Sequence, residues 1–142
     1  MTAEPKPLAG HIRIYTDGAC HGNPGPGGWV AILLDDSQKM VCQGREESTT
    51  NNRMELLAAI RGLEHTPEGS HVLVSSDSQY LVFSMTRPWK RAKNRDLWRR
   101  LDALSGRRTV QWEWVKGHAG HLHNEEANRL AQAQAALRER EG

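Results

Sequence analysis

An α/β domain built on a mixed sheet is predicted by three observations. First, three apolar stretches of strand length, HIRIYTD, WVAILL and KMVCQGREE, follow one another through short turns and suggest an antiparallel meander. Second, helical and strand-like stretches alternate from there onward, and strands joined through helices tend to run parallel. Third, the 142 residues amount to about one domain at ~150 residues each, with 37% hydrophobic and 25% charged residues to build a core. The expectation is a five-stranded mixed sheet, a three-stranded antiparallel meander plus two parallel strands, with helices on both faces. A single domain is expected over residues 11–142, preceded by a disordered lead-in at 1–10 and frayed over its last few residues.

The lead-in holds Pro5, Pro7 and Gly10 without periodicity. In the first strand Ile12, Ile14 and Thr16 alternate with Arg13, Tyr15 and Asp17, and the strand is expected to end near Asp17. The Gly- and Pro-rich CHGNPGPGG breaks the chain before WVAILL, a run apolar enough for a strand covered on both faces. Asp35, Asp36 and Ser37 turn the chain into the third strand. In STTNNRMELLAAIRGLEHT, Leu56, Leu57, Ile60 and Leu63 recur at helical spacing, Thr50 or Asn51 can cap the start, and Pro67 and Gly69 close it. HVLVSSD is a strand running into Asp77, with a helix from Ser78 to about Thr86. RPWKRAKNR reads as a basic linker, DLWRRLDAL as a short helix, and TVQWEWV as a strand whose Trp112 and Trp114 belong to the core, like Trp29 and Trp98. KGHAGHLHN is a Gly- and His-rich loop, and a last helix starts at EEANRLA.

Composition excludes several classes. No apolar run approaches the ~18–20 residues of a membrane span, and MTAEPKPLAG lacks the layout of a secretory signal. Two cysteines, Cys20 and Cys42, exclude a disulfide scaffold and fit a reduced, cytoplasmic setting. The formal net charge of +2 neither demands nor forbids nucleic acid.

Two apolar strands each run into an aspartate, IYTD at Asp17 and VSSD at Asp77, and sites in open α/β sheets form beyond the carboxyl ends of parallel strands. Paired there, the two carboxylates would repel, and a hard divalent cation such as Mg²⁺ or Mn²⁺ would relieve the repulsion. Either aspartate alone would ordinarily be a strand end or a helix cap. Glu55, at the edge of the Leu56–Ile60–Leu63 stripe, follows a row of small polar residues, TTNN. Thr50, Asn51 and Asn52, with the amides of the helix start, could hold a phosphate.

TDGACHGNPGPGGW, TTNNRMELLAAI, SDSQY and WVKGHAGHLHNE, in this order and at these separations, resemble the type 1 ribonuclease H family over His11 to about Ala136. The resemblance implies cleavage of the RNA strand of RNA–DNA hybrids, leaving 5′-phosphate and 3′-hydroxyl ends. It implies that Asp17, Glu55 and Asp77 are metal-ligating catalytic carboxylates for two ions, Mg²⁺ or Mn²⁺, roughly 3.5–4 Å apart with substrate bound and bridged by Asp17. His118 matches the loop histidine that helps position water or release product. The backbone at Gly18 and Cys20 and the side chains of Asn23 and Gln79 match contacts to the RNA 2′-hydroxyls. Asn52, beside Asn51, matches a minor-groove contact, Thr50 and Arg53 match a DNA-phosphate pocket, and Trp89 is the candidate for a DNA sugar. A zinc site in KGHAGHLH lacks partners at the right spacing, and His121 and His123 read as exposed loop residues. The chain is expected to act as a monomer, with no obligate protein partner and no membrane.

Two departures stand out. The family pattern N-E-x-x-D-x-L-A reads NEEANRLA here, so the fourth metal ligand is Asn128, an oxygen donor without the charge. Three acids remain, which favours an active enzyme; the alternative is a hybrid-binding module silenced at Asn128. The basic protrusion of many members is reduced to RPWKRAKNR, where Arg87, Lys90, Arg91, Lys93 and Arg95 form a positive strip. Weaker hybrid binding than in a protrusion-bearing relative is expected, and equal affinity at moderate salt would count against it.

Overall fold

The computed structural model of the chain describes residues 8–117 and 121–137. Five strands form one sheet, β1 (His11–Cys20), β2 (Gly25–Leu34), β3 (Lys39–Thr49), β4 (His71–Ser76) and β5 (Thr109–Trp114), in the order β3-β2-β1-β4-β5. The first three pair antiparallel as a meander, and β1–β4 and β4–β5 pair parallel, as the order of elements predicts. The helices are α1 (Asn51–Glu64), α2 (Gln79–Thr86), α3 (Arg95–Ser105) and α4 (Leu122–Ala136).

Alternation along the strands sorts the core into two layers. Ile12, Ile14, Ala31 and Leu33 face one side and pack with Leu56, Ile60 and Leu63 of α1 and Leu97, Trp98 and Leu101 of α3. Ala19, Val30 and Ile32 face the other side and meet Ala127, Ala131 and Ala135 of α4. The run Trp29–Leu33 is buried throughout because both of its faces are covered. Helix α1 starts within the polar row, at Asn51, capped by Thr50, whose hydroxyl accepts from the Arg53 amide at 3.2 Å.

Several boundaries differ from expectation. β1 runs past Asp17 to Cys20, and β2 starts at Gly25, because Gly18–Cys20 and Gly27–Trp29 pair in register; glycine hides the apolar alternation without preventing the ladder. Leu8, expected in the lead-in, is buried in the α1-side core, and the Ala9 amide donates to Asp35 at 3.1 Å. Helix α4 begins at Leu122, so His123 is a helical residue whose ring lies 4.9 Å from Tyr15, not an exposed loop residue. Trp29 and Trp98 are core residues and Trp112 packs partly against the same core, but Trp114 is 39% exposed. β5 is one of the two edge strands, and its end projects beyond the main core.

Two glycines bring the helices close to the sheet. A Cβ at Gly18 would lie 2.5 Å from the Glu55 amide nitrogen, and one at Gly28 would strike the Ala131 carbonyl. Gly18→Ala should therefore cost about 1–3 kcal/mol by overpacking β1 against the start of α1, read from urea unfolding. An unchanged midpoint would show that the two backbones can separate freely.

Candidate active site

The parallel register pairs Thr16 with Ser76, so the next residues, Asp17 within β1 and Asp77 just past the end of β4, stand side by side. Glu55, in the first turns of α1, is brought against Asp17 by the close approach at Gly18. Each of the three acids can offer an oxygen such that all lie within 4.8 Å of one another. Asp17 and Glu55 are each 4% exposed; Asp77 is half-buried.

Burial, and after it the charge of Asp77, pushes the Asp17 carboxyl up from 3.8 to about 6, against the opposing pull of bonds from Asn128 and the Gly18 amide. Burial raises Glu55 well above its ordinary value too, with Asp17 and Asp77 adding to the shift. Asp17 Oδ1 accepts from the Gly18 amide at 2.9 Å, and Oδ2 from the Asn128 side-chain amide at 2.8 Å. Glu55 Oε1 is buried with no hydrogen-bond partner. A buried, unpaired carboxylate oxygen within a converging triad is what a hard divalent cation would satisfy, so the residues present fit such an ion. The side chain of Asn128 reaches this cluster from α4, on the opposite face of the sheet from α1. Its amide currently donates to Asp17, and its carbonyl is the atom that would have to turn inward to ligate.

The other residues singled out by sequence gather at the same end of the sheet. Gly18 and Cys20 close β1, and the Cys20 thiol points to the carbonyls of Thr49 and Gly25 at 3.3 and 3.5 Å. Asn23 is exposed in the β1–β2 turn, Asn51 and Asn52 are exposed on the first turn of α1, and Gln79 is exposed at the first position of α2. Trp89 is not in this group. It is 43% exposed just past the C-terminal end of α2, about 12 Å of helix from Asp77, with its ring edge-on to Phe83 at 5.4 Å. His118 lies outside the described residues.

Arg53 is more engaged than its sequence position suggests. Its guanidinium grips Asp96 in two bonds, 3.0 and 2.7 Å, and donates to the Asn94 side-chain Oδ1 at 3.3 Å. The pairing holds the Asp96 carboxyl down to about 2. Asn94 was missed by sequence reasoning. It precedes α3 as an N-cap, yet its side chain makes no cap bond; the backbone is left-handed, at φ 60°, and the amide donates to the Tyr80 hydroxyl at 3.1 Å. An asparagine just before DLW was the available signal. The positive strip is also thinner than expected, because Arg91 turns inward onto the Ser84 carbonyl at 3.0 Å, Asp102 at 2.6 Å and the face of Trp98 at 4.4 Å.

The protein-family model for RNase H matches residues 9–136. This chain belongs to the RNase H family. Ribonuclease HI of Caulobacter vibrioides (strain ATCC 19089 / CIP 103742 / CB 15) is 52% identical, with 84% of this chain and 89% of that protein covered. Ribonuclease H of Caulobacter sp. (strain K31) is 50% identical over 84% of this chain and 86% of the relative. Among solved structures, LC9-RNase H1, described as a type 1 RNase H with the type 2 active-site motif, matches at a TM-score of 0.78 and 31% identity. It covers 94% of this chain and 74% of its own. The mixed sheet and its flanking helices are thus an RNase H fold.

The raised Asp17 value has a definite sign for stability. Its contribution is complete below about pH 3.8 and is lost as pH rises through about 6, where the folded state must carry the repelling charges. In chelator, Asp17→Asn should raise the melting temperature by about 5 °C at pH 8 and change it little at pH 4. The same shift at both pH values would assign the effect to packing instead of charge.

Proposed function

We propose that this chain is a divalent-metal-dependent endonuclease that hydrolyses the RNA strand of RNA–DNA hybrids, leaving 5′-phosphate and 3′-hydroxyl ends. The observation that carries the reading is the convergence of Asp17, Glu55 and Asp77 within 4.8 Å in a member of the RNase H family. Asp17, Glu55 and Asp77 would hold the metal, with the Asn128 carbonyl as a fourth, uncharged ligand and Asp17 shared between two ions when substrate is bound. Mg²⁺ or Mn²⁺ there would activate a water, stabilise the leaving 3′ oxygen and neutralise the phosphate.

The chain's own residues supply placement and recognition. The close approach at Gly18 would let Glu55 and Asp17 face the same phosphate. The exposed Asn23, Asn51, Asn52 and Gln79 and the backbone near Gly18 and Cys20 would line the hybrid, favouring sugars and phosphates over base edges. Thr50 and Arg53 would take a DNA phosphate, the Arg53 fork having been oriented beforehand by Asp96 and Asn94. Trp89 would lie along a DNA sugar farther down the duplex. His118 is assigned the water-positioning or product-releasing role from the match of KGHAGH to the family's motif. The binding-module alternative is not favoured, since all three acids are retained and converge. Action as a monomer in the cytoplasm completes the reading: among the described residues no helix is long and apolar enough to cross a membrane, and both cysteines are free thiols.

The test is a labelled hybrid incubated with Mg²⁺, Mn²⁺ or chelator. RNA cleavage with either ion and none in chelator is expected, as is loss of cleavage in Asp17→Asn with the fold intact; hybrid bound but uncut with both ions would overturn the assignment. Asn128→Asp should lower the metal concentration for half-maximal rate by about tenfold, because a charge is restored beside the ions. No change there would mean that the side chain at 128 does not face them.

A further inference from the structure

The exposed tryptophan at the end of β5 has a partner that its sequence pattern does not explain. Strand β5 pairs with β4 so that Trp114 stands opposite Ser76, and the Val115 amide donates to the Ser76 carbonyl at 2.9 Å. The Trp114 indole N–H then reaches one residue farther, to the Asp77 carbonyl at 3.1 Å. That carbonyl belongs to the residue preceding the α2 cap Ser78, where the chain leaves the β-ladder and has not yet entered the helix. Around the same aspartate the Ser76 hydroxyl accepts from the Ser78 amide at 3.0 Å, and Gly117 passes so close that a Cβ would sit 3.1 Å from Asp77 Oδ2. Burial does not account for the tryptophan, since 39% of Trp114 is exposed. Its ring leans on Phe83 at 5.9 Å, and Phe83 in turn carries the Trp89 ring at 5.4 Å and the Arg87 guanidinium at 3.8 Å.

We infer that Trp114 is a positioning residue for Asp77: its indole N–H fixes the main chain at the strand-to-helix junction and so aims the carboxylate at the other two acids. The inference rests on the reading of Asp77 as a metal ligand. A group that orients a ligand through its backbone acts on metal affinity, as outer-shell hydrogen bonds do.

The experiment is Mn²⁺ titration by calorimetry without nucleic acid, on the full chain and on two variants. Trp114→Phe keeps a ring and removes the N–H; Phe83→Leu removes the ring contact and keeps the N–H. Trp114→Phe should bind Mn²⁺ about tenfold more weakly, with a melting temperature in chelator within about 2 °C of the parent. Phe83→Leu should stay within about twofold of the parent affinity, and cleavage by Trp114→Phe should recover at saturating Mn²⁺. Equal Mn²⁺ affinity in Trp114→Phe and the parent, with only hybrid binding weakened, overturns the inference and makes Trp114 a nucleic-acid contact. Equal losses in both variants overturn it in favour of packing. A parent chain that binds no Mn²⁺ removes the metal reading itself, and this inference with it.

Discussion

The parallel pairing of β1 with β4 is what the rest of the molecule answers to. With Thr16 opposite Ser76, the two following residues have nowhere to go but next to each other, and both are aspartates. Two carboxylates alongside a third, largely out of water, oppose folding at neutral pH, as the upward displacement of Asp17 and Glu55 records. Such a cluster persists only because the surrounding sheet and helices over-determine it. The apolar layer joining β1, β4, α1 and α3 provides that rigidity, and nothing in it depends on the charge state of the acids.

Close backbone approach carries the polar groups the remaining distance. On one face, Gly18 admits the start of α1, so Glu55 meets Asp17 without a long side chain bridging the gap. On the other, Ala127, Ala131 and Ala135 recur every four residues along α4 and lie against the sheet beside Gly28. Small side chains on that stripe let α4 ride low. The short side chain of Asn128, next to Ala127, can therefore touch Asp17 at 2.8 Å on the face that Asp17 shares with Ala19 and Val30. Substituting a bulkier residue on the alanine stripe would lift Asn128 away without altering its chemistry.

Much of this was legible in the chain itself. The buried run Trp29–Leu33, the Thr50 cap and the Leu56–Ile60–Leu63 stripe follow from period and capping chemistry alone. Each of the three acids stands at the end of an apolar stretch or at the edge of an apolar stripe, but their grouping as one set came from the resemblance of the four motifs to the type 1 ribonuclease H family, since each aspartate alone reads as a strand end or a helix cap. What could not be read depended on tertiary partners. Glycine erased the alternation of β1 after Asp17 and of β2 before Trp29, although the ladder continues through both. The period-two pattern of Val110, Trp112 and Trp114 identified a shared face but not where the layer above it ends, and Trp114 falls beyond that edge. Arg53 finds Asp96 43 positions farther along the chain, a distance over which local pattern carries no information.

The inward turn of Arg91 alters how the segment between α2 and α3 meets a polyanion. A guanidinium clamped between a main-chain carbonyl, a carboxylate and an indole face anchors the loop from beneath, like a rivet through a strap. Its charge is already answered within the fold, so it releases no counterion when a nucleic acid docks. The ionic-strength sensitivity contributed by this stretch is then smaller than its tally of basic letters implies, and what Arg91 lends to recognition is stiffness.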